Sequence, residues 1–167
     1  MSRGFVKEED QEEIPMVPPR ADLPVGIINY VTPLGLYQLL EEKKALNINK
    51  DLISQENEKE RRIAVNLINA KLQLLNERIS IAKVVNLKEQ PENEIRFGAK
   101  ISLLIGDSKN IQEYQIVGVD EANISKQKIS FLSPIAKVLI SKRVGDTVVL
   151  NLGKEERVFK IKEIKYP

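Results

Sequence analysis

The apolar positions of this chain change period twice, and each change marks a different kind of element. Residues 1–31 show no period. Pro15, Pro18, Pro19 and Pro24 interrupt short apolar pairs, and acids gather at Glu8, Glu9, Asp10, Glu12 and Glu13. Proline fixes φ and offers no N–H to a helix or sheet, so this stretch predicts an extended arm whose contacts are Phe5, Val6, Met16 and Val17. At Thr32-Pro33 the pattern becomes helical, with Thr as N-cap and Pro at the first helical position. Leu36, Leu39, Leu40, Leu46 and Ile53 follow at roughly heptad spacing, with Lys43 and Lys50 interrupting the seam. A second helix from about Glu58 carries Val65, Ile68, Leu72, Leu75, Ile79 and Ala82 on one stripe, flanked by Ile63, Leu67, Ala70, Leu74 and Ile81. Neither face can be buried alone, but two such helices bury each other. The pattern predicts an antiparallel hairpin over residues 32–86 with its turn near Gln55–Lys59. Arms of about 24 residues would reach roughly 35 Å. A turn at Asn47-Ile48-Asn49 is the competing placement.

Beyond Pro91 the period falls to two. Ile95, Phe97, Ala99, Ile101 and Leu103 alternate with polar neighbours, the sign of a half-buried strand. Gly106–Asn110 is a turn cluster, and strands are expected over Ile111–Val119, Lys128–Phe131, Thr147–Leu152 and Arg157–Lys165. Ser133-Pro134 opens a short helix over Pro134–Ser141, with Ile135, Val138 and Leu139 facing inward. Four or five antiparallel strands covered by one helix make a small α+β domain over residues 87–167.

Composition narrows the chemistry. The 167 residues include no Cys, His or Trp. That excludes disulfides, thiolate and imidazole metal sites, and the usual general bases. Chemistry must run through carboxylates, Lys, Tyr or hydroxyls, or belong to a partner. Charged residues make up 30% with a net charge of only +2, so composition demands no polyanionic partner. The balance is uneven: residues 1–30 hold three basic and six acidic side chains, and residues 91–167 hold thirteen and ten. No stretch approaches the ~20 apolar residues of a bilayer span, and the N-terminus lacks a signal-peptide pattern. The expected location is the cytoplasm.

Four stretches carry a more specific message: Tyr114–Ala122 (YQIVGVDEA), Ile129-Ser130, Ser133-Pro134-Ile135-Ala136 with Leu139, and Val144-Gly145-Asp146 with Val148. In this order they closely resemble the C-terminal domain of the bacterial transcript-cleavage factors, the GreA/GreB family. The resemblance spans residues 32–167 and is specific in the β-rich half. It implies a coiled-coil hairpin followed by an FKBP-like half-barrel, with RNA polymerase as partner. In that family the hairpin enters the secondary channel, and two tip acids help hold a second Mg²⁺ in the polymerase active site. It also implies that Leu132, Ser133, Pro134 and Ile135 dock on rim helices of the largest subunit. The position before the Ser-Pro pair, usually Asp or Asn in long-armed members, is Leu132 here.

The tip candidates are Asp51, Glu56, Glu58 and Glu60. Family tips hold two acids three apart, whereas Asp51 and Glu56 lie five apart. The hairpin is also about two heptads shorter than in long-armed members, roughly 10 Å less reach per arm. Both departures argue against direct metal contact. The expectation is a monomeric, non-enzymatic regulator with no cofactor of its own, at most sharing Mg²⁺ with the polymerase, and touching DNA or RNA only indirectly. Asp120-Glu121 reads as a turn rather than a metal pair, because adjacent side chains on extended backbone diverge. Arg157, Lys160, Lys162 and Lys165 read as the solvated face of a strand. The alternative is an FKBP-like peptide-binding module with a dimerising hairpin. Prolyl isomerase chemistry would need an aromatic pocket, and Phe97, Phe131, Phe159, Tyr114 and Tyr166 read as scattered core positions.

Overall fold

The computed structural model describes residues 14–167; Phe5, Val6 and the acids Glu8–Glu13 lie outside the described residues. From residue 14 to Pro24 the chain is extended, as its prolines dictate, with no strand or helix. It then enters β1 (Asn29–Val31), α1 (Pro33–Asp51) and α2 (Glu58–Ser80). Thr32 caps α1 by accepting the Gly35 N–H, and Asn57 caps α2 by accepting the Glu60 N–H. The helices pack as an antiparallel pair on the expected seam. Leu39 and Leu75 are buried together with Val31, and Leu36, Leu46, Ile79 and Ala82 pack around them.

Three details of the hairpin depart from the sequence pattern. Asn47 and Asn49 stay inside α1, where Asn47 Nδ2 satisfies the Lys43 carbonyl at 3.0 Å; the competing turn is therefore absent. The connection is Leu52–Asn57, so α1 has 19 residues against 23 in α2, a first arm of about 28 Å. Residues beyond Ser80 leave the helix: Ala82–Val84 form β2, paired in parallel with β1 from Asn29–Ala82 to Val31–Val84. Helical periodicity could not show this, because a three-residue strand is defined by its partner and not by its own pattern.

The second half builds β3 (Lys100–Ile105), β4 (Ile111–Val117), β5 (Lys128–Ser130), α3 (Pro134–Leu139), β6 (Thr147–Leu152) and β7 (Glu155–Lys165). The sheet order is β5-β4-β3-β7-β6. Its β3–β4, β3–β7 and β6–β7 pairs are antiparallel, while β4–β5 is parallel. A register shift at Ser102/Leu103 bends β3 against the eleven-residue β7, as bulges do, and the sheet curls around α3. Strand β3 starts later than alternation suggested: the Ala99 N–H closes a turn on the Arg96 carbonyl, although the Gly98 N–H and the Ala99 carbonyl still bond to Ile116 of β4. Ile95 and Ala99 are nonetheless fully buried, alongside Ile101, Leu103, Ile116, Ala136, Leu139 and Ile161.

Tyr166 ties the chain end to the start of this domain. Its hydroxyl donates to the Glu94 carbonyl and accepts the Arg96 N–H. Burial raises its pKa above the ordinary 10.0, opposed by the Arg96 N–H and charge.

Leu75→Ala should cost about 2–5 kcal/mol, as for other buried large-to-small changes, and half-buried Leu72→Ala clearly less, measured by urea denaturation. Equal small effects would misplace the seam. A second test uses Tyr166. A raised folded pKa gives stability that is present below about pH 10 and lost as pH rises through the folded value. Tyr166→Phe should cost about 1 kcal/mol near neutral pH and should flatten the alkaline loss seen in the unmodified chain.

Candidate functional site

Two of the regions singled out in the sequence are well separated along the fold. At the hairpin end, Asp51 is the last residue of α1, Glu56 lies in the connection, and Glu58 and Glu60 stand in the first turn of α2. All four are exposed. Glu58 and Glu60 complement the N-terminus of α2 and need no other role to be stable there. Among the described residues no group of three or more acids gathers in a way that could hold a metal ion.

The second region is the start of α3. Ser133 adopts extended backbone and its hydroxyl accepts the Ala136 N–H at 3.3 Å, with Pro134 in the first turn. The Leu132 N–H is held by the Ser130 hydroxyl at 3.1 Å. Ala136 and Leu139 anchor the helix in the core, which leaves Pro134 exposed and Leu132, Ser133 and Ile135 half-buried. The loop is thus a partly exposed, largely apolar surface held by two local hydrogen bonds. Arg157, Lys160, Lys162 and Lys165 are exposed, while Phe159 and Ile161 between them are buried, the alternation of an amphipathic strand.

Asp120 and Glu121 have a larger role than a turn. Glu121 is buried; it accepts the Thr32 hydroxyl and, at 2.9 Å, the Lys128 ammonium. Thr32 is at once the cap of α1, so one carboxylate fixes where the hairpin begins. Asp120 accepts Arg20 Nε at 2.9 Å, and Arg78 Nε of α2 stands 3.4 Å from its other oxygen. Arg20 also forks onto Glu42 of α1 at 2.8 and 3.1 Å. The Glu42 hydrogen bond, with help from Asp120 and against burial, raises the Arg20 pKa above its already high ordinary value. Satisfaction is incomplete: Arg78 Nη1, Asp120 Oδ2 and Asn29 Oδ1 are buried without a hydrogen bond. Two glycines let the parts approach. A Cβ on Gly35 would lie 2.6 Å from Glu121 Oε2, and one on Gly118 would lie 2.5 Å from the Tyr30 carbonyl oxygen.

Sequence reasoning reached the divergence of Asp120 and Glu121 but not their partners. Arg20 is one of three basic residues in an arm without periodicity, and nothing local marks it. The aromatics also gather more than expected. Tyr30, Phe97 and Phe131 stand 5.6–5.9 Å apart between ring centroids. They pack on each other where β1 meets the second domain, filling space by ring–ring contact.

A two-helix hairpin set on a curled mixed sheet with one capping helix defines an α+β protein carrying a coiled-coil arm. Residues 90–166 match the family model described as the C-terminal domain of transcription elongation factor GreA/GreB. Over that span the chain is similar to the GreA/GreB family. Transcription elongation factor GreA of Nautilia profundicola is 42% identical over 92 residues, covering 55% of this chain and 57% of that protein. The GreA of Francisella philomiragia is 34% identical over 101 residues, covering 60% and 63%. The chain therefore spans about six-tenths of the length of these relatives. Among solved structures, GreA factor homolog 1 of Thermus thermophilus aligns with 23% identity and a TM-score of 0.40, over 81% of this chain and 97% of that one. A GreA/GreB factor from Nitrosomonas europaea aligns with 18% identity and a TM-score of 0.42, over 82% and 98%. No helix among the described residues is long and apolar enough to cross a membrane.

Removing a buried ionic partner leaves the others uncompensated, so Glu121→Ala should cost about 3–5 kcal/mol. Glu42→Gln, at a pair with one side chain 44% exposed, should cost no more than about 1 kcal/mol. Thermal denaturation followed by circular dichroism orders the two; the reverse order would refute the buried joint.

Proposed function

We propose that this protein is a transcription elongation regulator of bacterial RNA polymerase. It docks through Leu132, Ser133, Pro134 and Ile135 and places its hairpin in the secondary channel. The observation that carries this reading is the match of residues 90–166 to the GreA/GreB C-terminal domain. It is supported by a hydrogen-bonded, largely apolar loop at the start of α3 and by a hairpin whose end carries the exposed acids Asp51, Glu56, Glu58 and Glu60. Residues 1–31, 32–86 and 87–167 then serve as arm, channel probe and docking domain. The docking domain supplies affinity through an apolar interface centre, and the hairpin supplies the effect.

Of the two effects open to such a protein, obstruction of the channel suits this hairpin better than stimulated cleavage. Carboxylates that share a Mg²⁺ must converge within a few tenths of an ångström of ligand distance. Here Asp51, Glu56, Glu58 and Glu60 are spread over two helix ends and their connection, on a first arm of 19 residues. The chain itself performs no bond-breaking step in either case. Its residues bind, position and exclude.

The decisive measurement is transcript cleavage and nucleotide addition by backtracked and paused polymerase over a Mg²⁺ series, with and without the protein. The expected outcome is slowed nucleotide addition with no cleavage at any Mg²⁺ concentration, altered only modestly by Asp51→Asn with Glu56→Gln. Vigorous cleavage that this double change abolishes would replace obstruction by cleavage stimulation. Pro134→Asp should weaken polymerase binding tenfold or more, about 1.4 kcal/mol or above. Acids suit the first turn of a helix, so α3 should survive the change. Unaltered binding would remove the docking assignment.

A further inference from the structure

We propose that residues 17–23 of the arm are a releasable intramolecular clasp that sets the angle between hairpin and sheet, with Arg20 as its pin. The clasp concerns how the hairpin is presented, so its consequence for transcription rests on the function proposed above; the clasp itself does not.

A single extended segment is bonded to three separate parts of the molecule. Arg20 holds Glu42 of α1 by both terminal nitrogens and Asp120, just past β4, by Nε. One residue further on, the Ala21 carbonyl accepts Arg78 Nη2 of α2 at 2.7 Å. Pro18 and Pro19 hold this segment extended before it docks, which lowers the entropy lost on ordering it. A planar guanidinium reaching carboxylates on two bodies is suited to fix their mutual orientation, because its donors form a rigid fork.

The attachment is polar and loosely packed. A cleft of about 470 Å³ remains between the arm, both helices and the end of β4, lined by Arg20, Glu42, Leu46, Lys71, Leu74 and Asp120 among others. Val17 and Leu23 are half-buried, while Ile14, Met16 and Val25 stay exposed. Apolar burial therefore contributes little to seating the arm. With the arm seated, the buried Asp120 Oδ2 has no hydrogen bond and faces Arg78 Nε at 3.4 Å. Charge holds the clasp, and salt or a competing polyanionic or cationic surface would release it. Release removes the Arg20 ties and leaves Thr32–Glu121, Arg78–Asp120 and the Tyr30–Phe97–Phe131 contact in place.

The chain has no native cysteine, so spin labels at Gln55→Cys near the hairpin end and Lys162→Cys on β7 report the angle directly by pulsed electron–electron distance measurement. The full chain at low salt should give one narrow distance peak. Arg20→Ala, deletion of residues 1–23, and ~1 M salt, where the Debye length falls to ~3 Å, should each lose that peak to a broad distribution. Glu42→Gln, at an exposed carboxylate, should broaden it in part and serves as the test if Arg20→Ala disturbs folding by circular dichroism. An unchanged narrow peak in the deletion and in Glu42→Gln would overturn the clasp. Failure of polymerase binding with the distances changing as described would instead remove the proposed function and leave the clasp standing.

Discussion

Asp120 and Glu121 are neighbours on the chain, yet between them they reach the arm, both helices of the hairpin and strand β5. Glu121 takes the Thr32 hydroxyl and the Lys128 ammonium, and Asp120 faces Arg20 and Arg78. The rest of the structure depends on this pair being where β4 ends. Burying two carboxylates is unfavourable unless each is met by cations and hydrogen bonds, and these partners come from distant parts of the chain. An arrangement that displaced the hairpin from the sheet would part Glu121 from Thr32 and Asp120 from Arg78. The pair acts less as a source of stability than as a rule about which relative placement is tolerable.

This explains why the stretch YQIVGVDEA carries so much of the family resemblance. Ile116 and Val117 are core of the sheet, Gly118 lets the Tyr30 carbonyl approach, and Asp120-Glu121 bind the other parts. Three demands fall on consecutive residues, so few alternatives satisfy all of them. The joint gathers Thr32, Lys128, Arg20 and Arg78 onto two consecutive residues.

Much of the fold was legible because its elements have strong periods. The seam through Leu39 and Leu75, the helix at Ser133-Pro134 and the strand Thr147–Leu152 follow from spacing and capping alone. The features that were not legible are those that a partner defines. Strand β2 exists because β1 lies beside it, β5 runs parallel to β4 within an otherwise antiparallel sheet, and Arg20 matters because Glu42 and Asp120 surround it. Residues of the candidate surfaces could be named, since Pro134 and the acids Asp51, Glu56, Glu58 and Glu60 advertise themselves by type. Their relation to one another could not, because no local pattern encodes the angle between a hairpin and a sheet.

The parallel pairing of β1 with β2 has an architectural consequence. The chain enters and leaves the hairpin through two strands that lie side by side, so the whole coiled coil is an insertion at a closed two-strand collar. Turns of helix added to or removed from both arms leave that collar, and the domain behind it, geometrically untouched. Length at the far end is thereby a free variable, adjustable in steps of one heptad, about 10 Å. A scaffold of this kind separates how a protein holds on from how far it reaches, and the two properties are open to change one at a time.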